Sequence, residues 1–96
     1  MQVTVRVPSP LRAFSGGEAK VPLEIDDAPG ATILTVLNTL RATHPGVYER
    51  TLDERGLLRR HMNIFLNQDS IKRGLGLKTP VEPSDEVWII PAVSGG

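Results

Sequence analysis

Cysteine is absent from this 96-residue chain. That removes disulfides, thiolate nucleophiles and cysteine-ligated metals or clusters together. A net charge is absent too, since eleven basic side chains cancel eleven acidic ones. A neutral balance offers nucleic acid or an anionic membrane no attractive field. No apolar run approaches the roughly 20 residues of a membrane helix. Histidine is scarce: His44 and His61 lie far apart and in no metal-ligand spacing. The stretch GLGLKT lacks a phosphate loop's last glycine, with Leu77 standing before Lys78-Thr79, and no helical pattern follows it. No serine has a histidine partner in a recognisable arrangement. The acidic pairs Asp26-Asp27 and Asp53-Glu54 fall where turns and helix ends use carboxylates for capping. The expectation is therefore not an enzyme: no catalytic residue, no metal and no cofactor. The length suits one small domain, and no repeat or linker divides it. The N-terminal MQVTVRV alternates like a strand rather than a signal peptide, so a cytoplasmic domain without membrane or nucleic-acid partners is expected.

What is present is period-two alternation in several short runs. QVTVRV puts Val3, Val5 and Val7 on one face and Thr4 and Arg6 on the other, and Pro8 and Pro10 end it. Ser15-Gly16-Gly17 supplies a turn before a second strand from about Lys20 to Ile25. Then the period changes. Ile33, Val36, Leu37 and Leu40 form a helical stripe, with Leu34 beside it, Thr32 as N-cap and His44-Pro45-Gly46 as the stop. Short turns are expected in VYERTLDERGLL, with Val47, Tyr48 and Leu52 facing inward. HMNIFLN alternates again as a third strand, with Met62, Ile64 and Leu66 on one face. A short fourth strand is expected to begin at Ile71, RGLGLKTP reads as loop, and EVWII is the last strand. One main helix must cover one face of a sheet of four to five strands, an α+β layer pair.

The chain closes on IIPAVSGG. Paired glycines arise at a given site by chance about once in two hundred, at roughly 7% glycine per position. Here they follow the last strand, after Pro91, which stiffens the exit from the sheet. A smooth peptide of this kind suits a partner's narrow channel, because glycine has no side chain to clash there. The division expected is a domain over residues 1–91 and a flexible diglycine tail over residues 92–96. The reactive group such a tail delivers is its own α-carboxylate, ionised at neutral pH with a pKa of about 3.5. Adenylation would make that poor electrophile open to a sulfur or nitrogen nucleophile.

Strand order, the SGG loop, the single helix, NIFLN, SDEV and the closing IIPAVSGG resemble the MoaD/ThiS sulfur carriers of the ubiquitin-like β-grasp fold. The resemblance runs over essentially the whole chain. It implies a mixed sheet of order 2-1-5-3-4, with the first and last strands parallel at its centre. It implies that Gly96 is adenylated by an E1-like adenylating enzyme and converted to a thiocarboxylate, with Gly95, Ser94 and Val93 forming the inserted tail. LRAFSGGEAKV and RHMNIFLNQD look most like the CysO-type carriers of cysteine biosynthesis. The partners implied there are a cysteine-synthase-like pyridoxal-phosphate enzyme and a zinc metalloprotease. The P-x-V-S-G-G ending also occurs in molybdopterin-synthase small subunits, whose partner is the large subunit. A ubiquitin-like modifier joined through Gly96 to target lysines begins with the same adenylation and stays open.

Strand parity adds a docking face. If the helix packs on Val3, Val5, Val7, Ile64, Leu66, Val87 and Ile89, then Arg6, Phe65, Trp88 and Ile90 point the other way. The implied strand order makes these four neighbours. Phe65 and Trp88 are half of the four aromatics in the chain, and aromatics beside an arginine are the composition of an interface hot spot.

Overall fold

Among the described residues, five strands and two α-helices follow the breaks in the alternation. They are β1 (Gln2–Arg6), β2 (Lys20–Glu24), α1 (Ile33–Thr43), α2 (Pro45–Thr51), β3 (Met62–Leu66), β4 (Asp69–Ser70) and β5 (Glu86–Pro91). The computed structural model describes residues 1–26 and 30–91. Asp27 and the expected tail, residues 92–96, lie outside the described residues.

The strands form one sheet in the order β2-β1-β5-β3-β4. β1 pairs antiparallel with β2 and parallel with β5, and β3 pairs antiparallel with both β5 and β4. A parallel pair needs a crossover connection, which the helices and β3 supply. β2 tolerates Pro22 because it is an edge strand and the missing N–H faces away from a ladder.

One face of the sheet is apolar, and α1 packs on it. Val3, Val5, Val7, Ile64, Val87 and Ile89 are all buried beneath Ile33, Val36, Leu37 and Leu40. Fully burying one such side chain is worth about 1.5–3 kcal/mol. Leu66 shares that face but is half-buried, since it ends β3 beside the two-residue strand β4. Thr32 caps α1 through a reciprocal box. Its hydroxyl accepts from the Thr35 N–H, and its own N–H donates to the Thr35 hydroxyl at 3.0 Å.

Local chemistry departs from the sequence expectations in three places. Pro45 stops α1 but also opens a second helix, because a proline at the first helical position forfeits no intrahelical hydrogen bond. The expected turns are therefore the single helix α2, with Val47, Tyr48 and Leu52 buried as expected. Second, beyond the strand end at Pro8 the chain forms a 3-10 helix, Ser9–Phe14, which buries Leu11. Third, Ile71 does not begin the fourth strand. β4 is Asp69–Ser70, and the Ser70 hydroxyl accepts from the Lys72 N–H to start a 3-10 turn with Ile71 in the core.

The β3–β4 turn ties two distant segments together. Asn67 holds a left-handed φ of 57°, which asparagine tolerates better than most residues. Its side chain donates to Asp85 at 3.0 Å and accepts from the Glu86 N–H at 2.9 Å. The start of β5 is thereby fixed to the end of β3.

Candidate functional site

The face of the sheet away from α1 carries one register row that crosses all five strands. Lys20 pairs with Arg6, Arg6 with Trp88, Trp88 with Phe65, and Phe65 with Ser70. Parity places these side chains opposite Val5, Val87 and Ile64, as alternation requires. Arg6, Trp88 and Phe65 are half-buried, and Ile90 is exposed one pleat further along β5, opposite Asn63. The structure thus brings together the four residues that parity selected.

Contacts hold the row in place. The Arg6 guanidinium lies 3.9 Å from the centroid of the Trp88 ring and donates to Glu86 at 3.3 Å. An arginine stacked on tryptophan is worth about 0.5–1 kcal/mol at an exposed site. At the far end, Asn63 donates to the Ser70 hydroxyl at 3.2 Å. The result is a flat aromatic strip with a cation at its rim.

Where β5 ends, the strip opens into a cavity of about 310 Å³ lined by Arg6, Pro8, Arg12, Trp88, Ile90 and Pro91. The sequence reasoning did not single out Arg12. The 3-10 helix Ser9–Phe14 carries it to the cavity, and its Nε donates to the Val7 carbonyl at 3.1 Å. The available signal was the pairing of Pro8 and Pro10 ahead of a lone apolar anchor, Leu11, which sets a tight turn after β1.

Pro91 is the last residue of β5 and pairs with Met62. It is the last described residue and lines this cavity. Val93, Ser94, Gly95 and Gly96, the expected tail, lie outside the described residues.

Asp53 and His44 have structural partners. Asp53 accepts from the Arg55 guanidinium at 2.9 Å and from the Arg55 and Leu57 N–H groups at 2.8 and 3.1 Å. The Arg55 side-chain bond, with the backbone donors behind it, holds its carboxyl below the usual 3.8. The His44 ring meets the Thr43 hydroxyl at 2.7 Å. Among the described residues no group of three or more His, Asp or Glu is placed to hold a metal, and no helix is long and apolar enough to cross a membrane.

Comparison with known proteins gives the same architecture. The model of the ThiS family matches residues 5–96. The sulfur carrier protein CysO of Mycobacterium tuberculosis is 38% identical over 98 residues, covering the whole of both chains. Its crystal structure superposes with a TM-score of 0.80, covering 95% of this chain and 99% of that one. The crystal structure of the Amycolatopsis orientalis BexX/CysO complex contains a chain 34% identical, with a TM-score of 0.84 and coverage of 98% and 99%. Small archaeal modifier protein 3 of Haloferax volcanii is 29% identical over 80 residues, covering 83% of this chain and 84% of that one. The sheet order and the packed helix are those of the ubiquitin-like β-grasp, and the chain belongs to the ThiS family.

Proposed function

We propose that the chain is a sulfur carrier whose reacting group is the carboxylate of Gly96. The observation that carries this reading is full-length similarity to a sulfur carrier protein, in a chain whose family match extends through Gly95-Gly96. The carboxylate of Gly96 attacks ATP in an E1-like enzyme, displacing pyrophosphate and forming an acyl adenylate. A sulfur nucleophile then expels AMP and leaves a thiocarboxylate. Val93, Ser94 and Gly95 thread the channel of the partner, where ordering each residue costs about 1–2 kcal/mol of backbone entropy, recovered through main-chain hydrogen bonds. The domain is thus a carrier that catalyses nothing itself.

The row Arg6, Trp88, Phe65 and the neighbouring Ile90 dock the partner. Two aromatics and an arginine in register form a hot-spot composition on a preordered surface. Docking there delivers residue 92 onward from a fixed point, since Trp88, Ile90 and Pro91 share β5.

The similarity to CysO favours cysteine biosynthesis as the destination of the sulfur. In that reading the thiocarboxylate attacks an aminoacrylate held by a cysteine-synthase-like pyridoxal-phosphate enzyme, an S-to-N shift gives an amide-linked cysteine, and a zinc metalloprotease releases it. A second reading, conjugation of Gly96 to target lysines, is favoured by the similarity to a small archaeal modifier protein. Two parallel incubations separate the two. The thiocarboxylate form is mixed with the pyridoxal-phosphate enzyme and an activated serine, and in parallel the carboxylate form is mixed with ATP, the E1-like enzyme and lysine-bearing protein. Cysteine amide-linked to Gly96 supports the first reading. Isopeptide bonds from Gly96 to lysine, without cysteine addition, replace it with the second.

A further inference from the structure

The sheet-face row ends at Ser70, and a differently built surface begins there. The segment from Ser70 to Val81 contains Lys72, Arg73 and Lys78 and no acidic residue. In a chain of zero net charge, this is a local excess of positive charge. All three cations are exposed, and none takes part in the ion pairs seen among the described residues. Asp69, on β4, and Glu82 bound the segment on its two sides.

Two 3-10 turns, Ile71–Arg73 and Gly76–Lys78, shape the segment. Ile71 enters the core and Leu77 packs half-buried against it. Between them Leu75 is driven outward, at 67% the most exposed large apolar side chain among the described residues. That exposure belongs to an ordered loop. Gly74 N–H donates to Ile71, Lys78 N–H to Leu75, and the Thr79 hydroxyl to Gly76. The Thr79 carbonyl in turn accepts from the Ile33 N–H at the start of α1. Beside this knob lies a cavity of about 430 Å³, with Leu66 and Ile71 as its apolar wall, Arg73 and Asp69 at its charged rim, and Asn67, Ser70, Gly74 and Thr79 completing it.

We propose that this loop, residues 70–79 at the β4 edge, is a docking surface for an acidic protein segment carrying a large apolar side chain. The apolar side chain enters the cavity at Leu66 and Ile71, Leu75 inserts into the partner, and flanking carboxylates pair with Lys72, Arg73 and Lys78. Charge complementarity selects the occupant, because the three exposed cations outnumber the acids beside them, Asp69 and Glu82, and are held in no ion pair among the described residues, so the surface attracts acid and repels base. Concavity argues against a lipid surface, since a flat bilayer cannot fill a cavity, and a single leucine is a weak membrane anchor. Single-stranded RNA would need stacking platforms, yet the aromatics are Phe14, Tyr48, Phe65 and Trp88, all outside this segment.

The test is an amide-shift titration of the isotope-labelled full chain. The probes are a capped hexapeptide with two glutamates on each side of a leucine-phenylalanine pair, its lysine-for-glutamate counterpart, vesicles of neutral and anionic phospholipid, and oligouridine. The expected result is a set of shifts confined to residues 70–79, with the acidic peptide alone. Lys72→Glu with Lys78→Glu should weaken that binding about tenfold or more, and Leu75→Ser about fivefold. The spectra of the variants report their folding directly. No shifts in residues 70–79, equal shifts with the lysine peptide, or tighter binding of vesicles or RNA would overturn the proposal.

Discussion

Trp88→Ala separates a docking residue from a core residue, because the two roles predict different ratios of lost affinity to lost stability. A tryptophan offers about 150–250 Å² in all. Half-buried in the sheet, it leaves on the order of 50–80 Å² for a partner. At about 25 cal/mol per Å² that is about 1.3–2 kcal/mol. The alanine also removes the platform under Arg6, 3.9 Å away, so the total reaches about 2 kcal/mol, or roughly 30-fold in dissociation constant. The fold loses less. The arginine stack contributes about 0.5–1 kcal/mol and the cross-strand pair with Phe65 about 0.2–1 kcal/mol. A loss of about 1–2 kcal/mol lowers the melting temperature by about 5–15 °C in a domain of this size. Calorimetric titration against the activating enzyme or the sulfur acceptor, beside thermal melts of the same samples, measures both quantities. Phe65→Ala should behave in the same way. Unchanged affinity with a melt lowered by more than about 20 °C would mean that the strip holds the fold together and docks nothing.

Other perturbations probe the frame around the site. Gly46→Ala should lower stability by about 1 kcal/mol in denaturant titrations. A Cβ there would come within 2.9–3.2 Å of three Phe14 atoms, one of them its Cβ, and this overpacking opposes the gain of about 0.5–1 kcal/mol that alanine brings to a helix; a net stabilisation would show that Phe14 yields freely. Asn67→Ala should cost about 1–3 kcal/mol, because alanine strains at φ 57° and two side-chain bonds to the start of β5 are lost; Asn67→Gly should recover the strain but not the bonds. Asp53 titrates below its ordinary value of 3.8 in the folded chain. Its contribution is therefore present above that value and lost as pH falls through the lower folded one. A side-chain NMR titration should place its midpoint below 3.8, and Arg55→Ala should raise it.

Periodicity made the sheet and its two faces readable. Val3, Val5 and Val7 against Arg6, and Val87 and Ile89 against Trp88, could each be assigned to a side because every residue in a strand points opposite to the next. The strand order came from resemblance instead. Nothing in the local pattern of β1 and β5 says that they lie side by side, since pairing between chain ends depends on the whole topology. NIFLN and SDEV were recognised only as matching motifs, and the structure supplies the physical reason: Asn67 bonds Asp85 and Glu86. The misreadings fall where backbone hydrogen bonds are local. Pro45 reads equally as a stop and as a first helical residue. Ile71, a β-branched residue after a turn, reads as a strand until the Ser70 hydroxyl is seen to cap a 3-10 turn. Arg12 escaped notice because a short 3-10 helix leaves no period long enough to show which way its side chains point.

The most direct measurement is the intact mass of the full chain after incubation with ATP, an E1-like activating enzyme and a sulfur donor. The expected result is a mass gain equal to the difference between sulfur and oxygen, localised to Gly96 by fragmentation and reversed by alkylation and hydrolysis. Deleting Gly96 should abolish the gain while leaving the thermal melt unchanged. A sulfur atom found elsewhere in the chain, or a thiocarboxylate still formed without Gly96, would contradict the claim that this domain carries sulfur on its terminal glycine.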